Sequence, residues 1–373
     1  MPGRCPALLE VPLMWQLLRR WLTLWVLLVP ATTAQACSIC APANGSDTLL
    51  FQLHAADAVV LAAPVAGRSG LALLQAVKGE APTAAVLPSG GSLPADQALG
   101  EQPVLLLYSA VNQSWRVWGR LGLQRAEWLR RLTALPLPAA VAPQQWPQRL
   151  AFFVRDLEDP QPLVAQTVYE EISVAPYAAL RGLKAAVDAG RLRRWVEQPQ
   201  LAARQPLYLL LLGISGSAAD LPWLERLMRV HDPAQRSNAL SAMLAAYLEL
   251  GGKDALDWVV RNYLTDGRRT EVEVLAAVLA LGVHGTDGGR LERSQVVRAY
   301  ASLIAGNPRM AGLAASDLAN WGHWEFGAAY AGILRSGVPL AFTARYAMVF
   351  YLLRNPDPQV RATVEALRAE QLL

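Results

Sequence analysis

Two copies of one plan lie between Arg204 and Leu264, and they constrain this chain more than any other feature. The first copy reads RQPLYLLLLGISGSAADLPWLERLM from Arg204. The second, from Ser237, reads SNALSAMLAAYLELGGKDALDWVVRNYL. Each has an apolar helix, a Gly-containing turn and a second helix carrying a Trp. Leu240, Met243, Leu244, Tyr247 and Leu248 fall at i, i+3, i+4, i+7 and i+8, as one face of an α-helix requires, and Leu256, Val259, Val260, Tyr263 and Leu264 repeat that spacing. Gly213 and Gly251, 38 residues apart, sit where the first helix of each copy is expected to close, because a C-terminal cap favours positive φ. A lone hairpin of this kind cannot bury its own apolar face, whereas stacked hairpins can.

Weaker copies continue the pattern. Leu275, Val278, Leu279 and Val283 are expected to form one buried face, with Val296, Tyr300, Leu303 and Ile304 as its partner. Met310, Leu313, Ala314 and Leu318 open the next pair, which Phe326, Ala329, Tyr330, Ile333 and Leu334 complete. Phe342, Tyr346, Val349, Phe350 and Leu353, then Val360, Val364 and Leu367, make the last. The segment NPDPQVRATVEAL near the end resembles the second helix of a HEAT repeat, so residues 148–373 are expected to form an all-α HEAT/armadillo-like solenoid. Residues 148–200, broken by Pro160, Pro162, Pro176, Gly190 and Pro199, read as three short helices capping its first face.

Before residue 135 the period changes. AVVLAA from Ala58, LALLQAV from Leu71, AAVL from Ala84, VLLLYSA from Val104 and WRVWGRL from Trp115 read as short strands, the last two joined by a turn at Asn112. The leading CSIC, then ADAVVLAAPV, AVKGE and PVLLLY…WRVWG, resemble the netrin-type, tissue-inhibitor-like OB barrel. That resemblance implies a small antiparallel barrel over residues 37–135. In the metalloproteinase inhibitors of that family the mature N-terminal cysteine meets the target's zinc, a position Cys37 would take. This chain has Cys-x-x-Cys in place of Cys-x-Cys, and no distant partner cysteines. The fold class expected is thus multidomain α+β, with a Pro/Ala-rich linker at 136–147 between barrel and solenoid. A fragment 148–373 is expected to fold alone.

Arg19 and Arg20, an apolar run from Trp21 to Val29 and the small-residue site Ala34-Gln35-Ala36 make residues 1–36 a secretory signal peptide. The mature chain would be exported to the periplasm or the extracellular space and begin at Cys37. Cys37 and Cys40 are then expected to pair as a small local disulfide, and a lipid on Cys37 would be the only membrane attachment. Removing residues 1–36 lowers the formal net charge from +4 to +2, too little to point to nucleic acid.

Chemistry-bearing patterns are sparse. His54, His231, His284 and His323 form no metal-ligating spacing, and neither a P-loop nor G-x-G-x-x-G occurs, so no metal and no cofactor is expected. Gly213-Ile214-Ser215-Gly216 lacks the strand a nucleophile elbow needs, and His54 with Asp57 reads as a surface pair. A polar patch of Tyr169, Glu170, His323 and Glu325 is the remaining candidate site, and Pro176-Tyr177 adds an aromatic corner. The function expected is an exported scaffold that meets a protein partner through a helical-repeat surface, leaning away from an enzyme. Two alternatives stand beside it: a hydrolase-type site at the domain junction, and a protease inhibitor acting through Cys37.

Overall fold

The apolar run at Ala58 forms the middle strand of a sheet, and its lack of alternation has a simple cause: both of its faces are covered. The computed structural model describes residues 39, 48–64, 70–80, 86–87, 102–230 and 237–372. Residues 1–36, expected to be a signal peptide, and the cysteines Cys37 and Cys40, expected to pair, lie outside them. Strand β1 (Ala58–Pro64) pairs antiparallel with β2 (Leu71–Lys78) on one side and β4 (Val104–Ser109) on the other. β3 (Val86–Leu87) and β5 (Ser114–Arg120) are added at the edges, giving the order β3-β2-β1-β4-β5. Val59, Leu61, Leu105 and Leu107 face the helical part of the molecule. Val60, Ala62, Val104 and Leu106 face the other way and pack with Leu71, Leu73, Trp115 and Val117. Register shifts in β1–β2 and β4–β5 raise the local twist of the sheet. Tyr108 and Trp115, opposite each other across the β4–β5 hairpin, bring their rings to 5.1 Å.

Helix α1 (Leu49–Ala55) buries Leu49, Leu50 and Leu53 beside the sheet, and Lys78 Nζ donates to the carbonyls of Leu53 and Ala56 at its C-terminus, both at 2.7 Å. After β5, α2 (Ala126–Thr133) packs on β2 and α1. The Pro-rich stretch that follows is folded rather than extended. It makes 3₁₀ turns at Pro138–Ala140 and Pro143–Gln145 and buries Val141 and Trp146. The same apolar cluster holds β1 and β4 residues, Trp128, Leu129 and Leu132 of α2, Trp146, Leu150 and Phe153 of α3 (Trp146–Phe153), and the helices beyond. The described residues belong to one compact unit.

Three short helices, α4 (Pro162–Ser173), α5 (Tyr177–Arg181) and α6 (Ala189–Val196), begin where Pro or an Asp cap allows. Further helices follow: α7 (Gln205–Ser215), α8 (Leu221–Val230) and α9 (Ser237–Val259), then α10 (Glu271–Asp287), α11 (Arg293–Gly306), α12 (Ala315–Asn320), α13 (Gly327–Arg335), α14 (Phe342–Arg354) and α15 (Pro358–Ala369). α9 packs against α7, α8 and α10; α10 packs on α11; α12 packs on α14; and α13 packs on α15. Leu207 to Leu212 of α7 are buried all round, which is why that helix shows no polar face.

Details depart from the sequence pattern at four places. Gly213 does not end its helix: α7 runs to Ser215, and Gly213 is where α9 comes closest, a Cβ there lying 2.6 Å from Ala246 Cα. In the second copy the break falls at Gly252, whose φ of 58° splits α9 in two, and not at Gly251. In α10 the core side is Val274, Ala277, Val278 and Leu281, while Leu275 is exposed and Leu279 half-buried. Small Ala side chains let α10 sit close to its neighbours on a face that a count of large residues misses. α14 shows the same effect more strongly. Phe342 and Tyr346 are 84% and 67% exposed, Phe350 and Leu353 face solvent with them, and the helix is held by Ala344, Met348, Tyr351 and Leu352. Among the described residues no helix is long and apolar enough to cross a membrane.

Candidate functional site

The polar groups singled out from the sequence are bonded locally. Tyr169 on α4 is buried and donates its hydroxyl to the Ala203 carbonyl at 3.3 Å, with the Arg204 guanidinium over its ring. Glu170 accepts from Gln166 Nε2 at 2.8 Å. His323 Nδ1 and Glu325 Oε1, 3.0 Å apart, lie on the connection between α12 and α13, where Tyr351 donates to the His323 carbonyl. The buried carboxylate on α4 is the neighbouring Glu171, one residue and about 100° further round the helix. It is ion-paired with Arg149 of α3, whose guanidinium also donates to the Pro136 carbonyl at 2.8 Å. Burial pushes the Glu171 carboxyl above the usual range, and Arg149 draws it partly back. Ser215 donates to the Leu211 carbonyl within its own helix, which leaves no elbow geometry.

The corner at Pro176-Tyr177 leads to a buried polar cluster. Tyr177 donates to Glu249 Oε2 at 3.1 Å, Arg181 Nε to Glu249 Oε1 at 2.9 Å, and the Arg290 amide to Glu249 Oε2 at 3.0 Å. His284 lies beneath, edge-on to the Tyr177 ring. Its Nε2 is 3.2 Å from the Ala245 carbonyl, an acceptor, so Nε2 carries the proton. Nδ1 is then a lone pair without a hydrogen-bond partner, 3.6 Å from Glu249 Oε2. Burial holds the His284 pKa below its ordinary value. This cluster ties α5 to α9 and α10, with Tyr177, Glu249 and His284 buried and Arg181 at its exposed edge.

An open site lies elsewhere, where α8, the end of α9 and the start of α10 meet. It is a groove of about 500 Å³. Its floor is aromatic: the Trp258 ring lies 5.0 Å from Tyr247 and 5.7 Å from Tyr263. The chain reaches it through a π turn at Val260–Leu264, closed by the Thr265 amide on the Val260 carbonyl at 3.0 Å. Such widened turns are rare and are found mostly at functional positions. Here the turn puts Asn262 and Tyr263 into the same groove. Glu225 of α8 accepts from the Tyr247 hydroxyl at 2.9 Å, and burial with that carboxylate pushes the phenol up to about 12. Across the groove Arg269 donates to Glu273 at 2.6 Å and to the Asn262 carbonyl at 2.7 Å, and its guanidinium covers the Tyr263 ring at 4.4 Å. Burial works against charge on Glu273, but the Thr270 amide and hydroxyl and the Arg269 guanidinium outweigh it and hold the carboxyl below its usual range.

The groove is therefore preorganised and close to neutral, with two carboxylates against Arg229 and Arg269. Asn262 spends its amide nitrogen on the Trp258 carbonyl at 2.8 Å, and among the described residues nothing donates to its oxygen. That leaves a directed acceptor beside an aromatic floor, flanked by guanidinium donors. The helical spacing puts Tyr263 on an apolar face and gives no sign that Trp258 lines a groove. The one local signal of the groove is Trp258 and Asn262 at i and i+4, a single turn apart and both able to face one ligand. Among the described residues no group of three or more His, Cys, Asp or Glu side chains could hold a metal ion. Comparison with protein-family models, with curated proteins and with solved structures gives no match.

Proposed function

We propose that this chain is an exported interaction protein in which a HEAT-like stack of helical hairpins offers the α8–α9–α10 groove to a segment of a partner polypeptide. The observation that carries this reading is the groove itself, with its aromatic floor, an amide acceptor that no described residue engages, and salt-bridged walls held in place before any ligand arrives. An extended peptide presents backbone N–H and C=O groups in alternation. Asn262 Oδ1 supplies an acceptor for the first, the arginines supply donors for the second, and Trp258 packs a side chain. Walls whose charges are already paired favour a partner segment without a large net charge.

In the same reading the helices from α7 to α15 are one solenoid, and the sheet is an OB-type barrel. The order β3-β2-β1-β4-β5 supports the barrel because a β3–β5 pairing would close it, and the apolar face of Val60, Ala62, Val104 and Leu106 would be its interior. Export rests on Arg19, Arg20, the Trp21–Val29 run and Ala34-Gln35-Ala36. The test is affinity capture from the producing cells with the full chain and with Trp258→Ala/Asn262→Ala. A polypeptide retained by the first and lost by the second is expected. Equal retention by both would refute the groove as the binding surface.

A further inference from the structure

A second cavity, of about 350 Å³, opens between α2, α3 and the Pro-rich stretch that joins them. Its wall is mostly apolar, from Leu135, Pro136, Val141 and Phe152, and its charged members are two arginines with no carboxylate among the lining residues. Arg131 stands over the Phe152 ring at 4.8 Å and forms no ion pair with any described residue. Arg149 is held deeper, its side chain 3% exposed. Two of its nitrogens are spent on Pro136 and Glu171, and Nε is buried without a hydrogen-bond partner. Among the described residues, the buried polar atom of the cavity wall that lacks a partner is thus a donor. A buried donor left unpaired costs free energy that an acceptor would recover. An apolar pocket of this size, near the lower end of the range for small-ligand sites, with a fixed guanidinium and a second cation at its edge, fits one chemistry.

We infer that the α2–α3 cavity binds a small amphiphile consisting of a single carboxylate carried on an apolar body, the carboxylate meeting Arg131 and Arg149 and the body lying along Leu135, Val141 and Phe152. A guanidinium and a carboxylate form charge-assisted hydrogen bonds, strongest where water is excluded. Arg131 is anchored only by its ring contact and is free to turn to the ligand. Arg149 is already oriented by Pro136 and Glu171. A neutral analogue of the same shape would keep the apolar contact and lose the charge pairing, and a cationic one would meet the like charge of Arg131, Arg149 being already paired with Glu171.

The test is calorimetric titration of the full chain with decanoate and with 4-phenylbutyrate, using decanol and decyltrimethylammonium as neutral and cationic controls. One-to-one binding of at least one acid is expected, with each control bound at least about tenfold more weakly, the loss of one charge-assisted contact. The tighter of the two acids tells whether the body is a chain or a ring. Arg131→Gln is expected to weaken the acid about tenfold while leaving the thermal midpoint of the free protein unchanged, since Arg131 is exposed and unpaired. Ala134→Trp, an exposed position at the cavity wall, is expected to block binding with the fold intact. Binding by neither acid, equal binding of acid and alcohol, or unchanged affinity in Arg131→Gln would each overturn the assignment.

Discussion

Replacing Gly213 by alanine sets two effects of known size against each other. In the interior of an isolated helix this change stabilises by about 1 kcal/mol, because glycine loses more backbone freedom on folding. In this fold the new methyl would lie 2.6 Å from Ala246 Cα and 3.0 Å from Ala246 Cβ. The obstacle is the backbone of α9, so no rotamer change relieves it and the two helices must separate. Leu207 to Leu212 are all buried around that contact. Overpacking of this kind costs about 1–3 kcal/mol, so the helix gain is cancelled or outweighed and the net effect expected is destabilisation by up to about 2 kcal/mol. Ala246→Gly alone is expected to cost about 1 kcal/mol in helix propensity. It removes the Cβ contact but leaves Ala246 Cα 2.6 Å from the new methyl, so the double variant should recover little and cost about the sum of the two changes. Urea unfolding monitored by far-ultraviolet circular dichroism reads each value from the midpoint at constant slope. A Gly213→Ala protein more stable than the parent, or a double variant restored to the parent, would refute close approach of the α7 and α9 backbones at this position.

Three further outcomes follow from buried groups and shared packing. His284 is neutral in the fold with its pKa held down by burial, among Tyr177, Arg181 and Glu249. The unfolded chain therefore binds a proton that the folded chain refuses, and stability should fall as pH drops below about 6.5. Urea midpoints between pH 5 and 7.5 should show this slope and its reduction in His284→Gln, and equal slopes would count against it. Arg149→Met strands the Glu171 carboxylate in the core and should cost about 3–5 kcal/mol, while Arg149→Met/Glu171→Leu should cost less than the single change; a double variant no better than the single one would contradict the buried pair. A fragment 148–373 loses Trp128, Leu129, Leu132, Val141 and Trp146 from the cluster that also holds Leu150, Phe153 and Ile172. At roughly 1.5–3 kcal/mol for each large apolar side chain exposed, it is expected to melt without cooperativity, and a sharp transition would show that the cluster divides there.

Much of the framework was legible because its signals are local. β1, β2, β4 and β5 lie where short apolar runs meet turn residues. The α9 side chains Leu240, Leu244, Tyr247 and Leu248 are buried as their spacing requires. What was not legible depends on partners distant in sequence. α14 has apolar residues on two faces, and contact with the Ala311–Ala314 turn, α12, α13 and α15 decides that Met348 and Tyr351 go in and Phe342 and Tyr346 stay out. Glu170 and Glu171 are equivalent on paper. The helix phase, set by packing on α3, puts the second beside Arg149. Glu225, Trp258 and Glu273 come from three elements, and no spacing rule brings them to one groove. The π turn that completes it has no simple sequence signature, although Trp258 and Asn262 one turn apart were visible. Cys37 and Cys40, expected to pair, lie outside the described residues.

The central claim, that the α8–α9–α10 groove is where a partner docks, is tested most directly by photocrosslinking in the producing cells. A benzophenone side chain replaces Arg229, whose own side chain is 70% exposed at the groove, and a control protein carries it in place of the exposed Phe342. The account expects a discrete polypeptide adduct from position 229 that Asn262→Ala abolishes, and no such adduct from 342. An adduct formed only from 342, or one from 229 that survives Asn262→Ala, would contradict it.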